Sequence, residues 1–126
     1  MRLLISIIII LATIIGAGFW TNYALQASTE KLTRQIDQVS RAIQQEDWAT
    51  AVSQTAQLEK TWEQEARWWP VVLDHQEMDN IEFSLAKVKE YVPGQNPALA
   101  LGQLSEVRLM VEHIPEKEAI TLENIL

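Results

Sequence analysis

The run LLISIIIILATIIGAGFW, from Leu3 to Trp20, contains no charged residue. As a helix at about 1.5 Å per residue it is roughly 27 Å long, close to the ~30 Å hydrocarbon core of a bilayer. Trp20 and Tyr23 stand where a membrane–water interface falls, a place aromatic anchors favour. Arg2 precedes the run and Glu30 is the first acid after it. The positive-inside rule then puts residue 1 in the cytoplasm and the rest outside. The reading is a transmembrane anchor over residues 1–23, an uncleaved signal, touching the membrane through residues 3–20. A cleaved signal peptide competes with it, since a short basic start and an apolar stretch fit that too. Neither Ala24 nor Ala27 makes a clean small-x-small cleavage site. A buried core helix is disfavoured, because a small soluble domain has little use for a helix that is apolar all round.

The remaining residues, 24–126, suffice for one small domain. All 17 acidic residues and all but one of the 10 basic ones lie after Trp20. That negative field repels phosphate backbones and excludes nucleic acid as a partner. With no Cys there is no disulfide, thiolate metal site or cysteine nucleophile. The four Gly form no phosphate-binding loop.

Apolar periodicity and caps predict four helices and no strands. The first covers 28–44, with a stripe of Leu25, Leu32, Ile36, Val39 and Ile43 that lets it continue out of the membrane span. The second covers 47–69, capped by Asp47. Trp48, Thr55, Trp62 and Trp69 lie seven apart on it. Trp48, Trp62 and Trp69 are read as an aromatic core rather than a ligand slot, because large aromatics supply much of the burial in small domains. Trp68 falls off that seam, as a contact surface. The third covers 71–92, with Met78, Ile81, Leu85, Val88 and Val92 as its stripe. PGQNP at 93–97 is the clearest loop. Asn96 and Pro97 open a fourth helix over 97–114, stopped by Pro115, with Leu101, Leu104, Val107, Val111 and Ile114 inward. Leu99, Leu109 and Met110 fall on its other faces and imply deeper burial or a partner. Thr121 starts a last turn whose Leu122, Ile125 and Leu126 dock onto the bundle. The fold class is therefore all-α: an N-terminal transmembrane helix followed by an antiparallel bundle of about four helices.

The stretch DHQEMDNIE, 74–82, looks at first like an acid–base or metal site. On a helix it divides. His75, Asp79 and Glu82 share one edge at spacings of four and three, suitable for a His–carboxylate contact. Asp74 lies in line with the apolar stripe, where a carboxylate needs a partner. Two readings meet that need: the free N–H groups of the first helical turn, or a structural ion pair of Asp74 with Arg108. A metal centre takes three or four ligands, usually from more than one element. The only second His is His113, which projects away from the stripe of its own helix. No metal, cofactor or catalytic residue is assigned, and no enzyme activity is expected.

LDHQEMDNIEFSLAKVKEYV together with VEHIPEKEAITLENIL resembles the domain-of-unknown-function 4363 family, small single-span membrane proteins of spore-forming and related bacteria. The likeness extends over the anchor and the EDWATA start of the second helix. It implies a membrane-anchored helical domain with no assigned activity, and singles out the 74–82 stretch, His113, Pro115 and the LENIL ending. An antiparallel third and fourth helix would bring His75 and His113 to one pole.

Together these readings describe a single-pass cell-membrane protein with a cytoplasmic N-terminus and an extracytoplasmic helical bundle. Its expected work is interaction, as an accessory protein of the bacterial cell envelope, with another membrane or envelope protein as partner and His75, Asp79 and Glu82 as the candidate interaction edge. The alternative is an extracytoplasmic pH- or cation-responsive binding or sensor module, since His75 stands beside carboxylates on that edge.

Overall fold

The computed structural model describes residues 1–71 and 73–125. It contains α1 (Arg2–Gln44), α2 (Trp48–Glu65), α3 (His75–Tyr91) and α4 (Pro97–Ile125), with a short 3-10 turn at Trp69–Val71. No strand occurs among the described residues.

The apolar run and the first bundle helix are one unbroken α1, about 65 Å long at 1.5 Å per residue. Its two halves differ in what they touch. Its most apolar window is long enough to cross a membrane and buries nothing against the rest of the chain. From Leu25 onward, by contrast, Leu25, Leu32, Ile36, Val39 and Ile43 are each at most 1% exposed. α1 packs against α2 and α4, and α4 against α3, while α2 and α3 touch only lightly. The core is therefore a strip shared by α1 and α4, flanked by the other two helices. Leu58, Ile81, Val88, Leu104 and Val107 complete it.

Two of the three connections, those after α1 and α3, rest on residues in the left-handed region. After α1, Glu46 has φ 59°. Its N–H bonds the Ile43 carbonyl, and the Asp47 N–H bonds that of Ala42, which satisfies two orphan carbonyls in a Schellman motif. The same pattern closes α3: Gln95 has φ 54°, and Gln95 and Asn96 donate to Val92 and Tyr91. The positive φ of PGQNP thus falls on Gln95 rather than on Gly94. Asp47 caps α2 through the Thr50 N–H, and Asn96 caps α4 through the Leu99 N–H at 3.1 Å.

Three helix boundaries differ from the sequence expectation. α2 ends at Glu65, not 69. Pro70 has no N–H to continue a helix and disfavours α geometry at Trp69. The chain turns there and delivers Trp69 to the core, 0% exposed. α3 starts at His75, not 71, because Asp74 is its N-cap and not a member of its first turn. α4 runs through Pro115 to Ile125. A proline removes one N–H and crowds the carbonyl four residues earlier, a cost confined to one turn. EKEAITLENI after it contains neither Gly nor Pro to end the helix. The expected start at Thr121 is therefore helix interior. The docking of Leu122, Ile125 and Leu126 concerns side chains outside the described set. Deeper burial of α4 does not occur either: Leu99 and Leu109 are exposed, and Met110 is half-buried.

Candidate functional site

The antiparallel packing of α3 on α4 brings the start of α3 to the level of residues 110–114. Glu77, Asn80, Ile81, Met110, His113 and Ile114 line a small cleft there, about 150 Å³. Farther along the same helix pair, the buried Gln103 side chain donates to Ser84 Oγ at 2.8 Å.

Asp74 ends the stretch before α3, and its carboxylate accepts the Glu77 N–H at 2.8 Å. That bond satisfies an orphan donor of the first turn, and the anion lies at the positive end of the helix dipole. The ion pair expected between Asp74 and Arg108 does not form. Arg108 projects from α4 toward α1 instead, with Nη1 on Asp37 and Nε on Glu112 at 2.9 Å. These carboxylates, Glu112 foremost, raise the guanidinium above its ordinary value. α4 is packed between α1 and α3, so one of its side chains cannot serve both neighbours.

His75, Asp79 and Glu82 are exposed, and none of their side chains makes a hydrogen bond or ion pair among the described residues. Exposed Phe83 adjoins Glu82. No group of three His, Asp or Glu side chains is disposed to hold a metal ion among the described residues. The edge is therefore a row of solvated polar groups. His113 shares the pole but faces the cleft with Glu77.

The polar centre that sequence reasoning misses lies where α2 returns toward the apolar half of α1. Ser28 Oγ donates to Glu65 Oε2 at 2.7 Å. Trp68 Nε1 donates to the same oxygen at 3.0 Å. Trp69 Nε1 donates to Ser28 Oγ at 3.1 Å. The Trp69 ring stands edge-on to Trp62, with centroids 5.2 Å apart, and edge-on to Trp68 at 6.3 Å. Trp62 and Trp69 are core residues, and Trp48, at the other end of α2, is half-buried against the core. One signal for this centre was available. Ser28 is three residues after Leu25 and four before Leu32, a hydroxyl on the apolar stripe that requires a partner.

Residues 19–125 match the model of a family described as a domain of unknown function, DUF4363. The chain belongs to the DUF4363 family. No curated protein and no solved structure matches it. The DUF4363 match begins at residue 19, inside the apolar half of α1, so the Ser28–Glu65–Trp68–Trp69 centre and the 74–82 stretch both lie within it.

Proposed function

We propose that this DUF4363 chain is a membrane-anchored interaction protein of the bacterial envelope. Its α1 spans the bilayer, and its bundle stands on the extracytoplasmic side as an accessory to another membrane or envelope protein. The supporting observation is the division of α1: an apolar half that buries nothing in the chain continues, without a break, into a half that forms the bundle core. Arg2 before the apolar run supports the orientation. The uncommitted edge of His75, Asp79 and Glu82, with exposed Phe83 beside it, offers charge and an apolar contact to the partner. Cross-linked affinity purification of the full-length protein from its native membrane should recover one dominant partner. Glu82→Lys or Asp79→Lys should lose it while leaving thermal unfolding unchanged. Retained co-purification of both variants would exclude this edge. Because the chain lacks Cys, a single Gln38→Cys gives a clean topology reporter. A membrane-impermeant maleimide should label it in intact cells, and labelling only after lysis would reverse the orientation.

A further inference from the structure

An open groove of about 570 Å³ lies between α1, just beyond its apolar run, and the end of α2. α1 contributes Trp20, Ala24, Ala27 and Lys31; Glu65 and Trp68 face them, and most of the lining is apolar. On the anchored reading, on which this inference rests, the groove starts at the bilayer surface at Trp20 and rises above it. Trp20 closes the apolar run, and Lys31 follows about 16 Å farther along the helix axis. A headgroup layer about 5–7 Å thick covers the hydrocarbon on each side. Helical side chains lean toward the helix N-terminus, so the Lys31 stem leans back toward the bilayer.

The groove carries two unmatched charges. Lys31 is exposed and makes no hydrogen bond or ion pair among the described residues. Glu65 uses Oε2 for both Ser28 and Trp68, while Oε1 accepts nothing among the described residues. A cation and an open carboxylate oxygen beside an apolar wall complement a zwitterionic headgroup: phosphate on Lys31, ammonium on Glu65. A headgroup with phosphate alone would leave Glu65 repelling it. A choline headgroup brings a cation without N–H donors, so the oxygen favours a primary amine. The geometry points to a lipid-binding groove for one phospholipid with a primary-amine headgroup, raised above the plane of its neighbours so that its upper chains meet Trp20, Ala24 and Trp68.

The experiment uses the full-length protein reconstituted in phosphatidylglycerol vesicles. A minor fraction of chain-brominated phosphatidylethanolamine is added, or the same fraction of brominated phosphatidylglycerol. Differences between wild type and Trp68→Phe isolate quenching of Trp68, and differences from Trp20→Phe isolate that of Trp20. Trp68 quenching should favour the ethanolamine lipid by about two- to fivefold, the scale of one exposed ion pair. Lys31→Glu, at an exposed and unpartnered position, should remove that preference without altering the thermal melt. Equal quenching of Trp68 by both lipids, with Trp20 quenched, would overturn the lipid groove and leave the anchor standing. Trp20 quenched but Trp68 shielded from both would mean that a protein segment fills the groove, and would also overturn it. Failure of either lipid to quench Trp20 would refute the anchor, and the groove with it.

Discussion

Ser28→Ala tests the aromatic–polar centre most directly. Ser28 is 5% exposed, and its hydroxyl both donates to Glu65 and accepts from Trp69. Deleting it leaves the Trp69 indole N–H buried without an acceptor, a cost of about 1–3 kcal/mol. Glu65 loses one donor but keeps Trp68 and remains half-exposed to water, so that loss adds at most about 1 kcal/mol. The sum is about 2–3 kcal/mol, or a fall in Tm of roughly 8–15 °C for a domain of this size. The assay is thermal unfolding of the full-length protein, followed by Trp fluorescence and near-ultraviolet circular dichroism. The second probe reports the Trp62–Trp69 edge contact itself. Trp69→Phe removes the donor that would be orphaned, so Ser28→Ala should cost about 1–2 kcal/mol less in that background than in wild type. Glu65→Gln retains an acceptor for both partners and should cost only about 1 kcal/mol. A Ser28→Ala variant within about 0.5 kcal/mol of wild type, or strict additivity with Trp69→Phe, would refute the network as a source of stability.

Asp74→Ala should destabilise the bundle by about 1 kcal/mol in denaturant titration and Asp74→Asn hardly at all, because only the cap acceptor matters. Asp74→Leu and Arg108→Leu should be additive in a double-mutant cycle, whereas Asp37→Ala and Arg108→Ala should couple by up to about 1 kcal/mol, as exposed pairs do. Glu46→Gly and Gln95→Gly should each raise stability by about 0.5–1 kcal/mol by relieving left-handed strain at a residue with a Cβ. The Thr50 side chain and N–H hold the Asp47 carboxyl below its ordinary value. A depressed folded value means that the stabilisation is present above the unfolded pKa and lost as pH falls through the folded one. Asp47→Asn should therefore flatten part of the acid limb of the stability profile, read by melts below pH 5, and leave the neutral region unchanged.

The legible parts of the fold were those written in repeated residues. The stripes of α1 and α3 recur at three, four and seven, and their members are buried as that spacing requires. What escaped was written in single residues whose role depends on a distant neighbour. Pro115 reads locally as a stop, yet α4 continues through it. PGQNP reads locally as a loop, but nothing in it marks Gln95 as the residue that takes the left-handed conformation. Ser28 is unremarkable until Glu65 and Trp69, about forty residues later, close on it. Asp74 was recognised as needing a partner. Of the two on offer, the nearby N–H met the need, because Arg108 belongs to a different seam of the bundle. The His75, Asp79 and Glu82 edge was legible as an edge, since helical spacing alone fixes it.

The unbroken α1 has a mechanical corollary. With no hinge between the apolar half and the core, the bundle is fixed to the apolar half of α1 in both tilt and azimuth. A change of about 10° in the tilt of that half would carry the far end of α1, some 30 Å beyond Leu25, sideways by about 5 Å. Inserting a single residue near Tyr23 would turn the His75 edge about 100° around the α1 axis relative to the apolar half while leaving the core contacts from Leu25 onward intact. The direction in which the protein presents its surface is thus encoded in the helical phase of a few residues at the foot of the bundle.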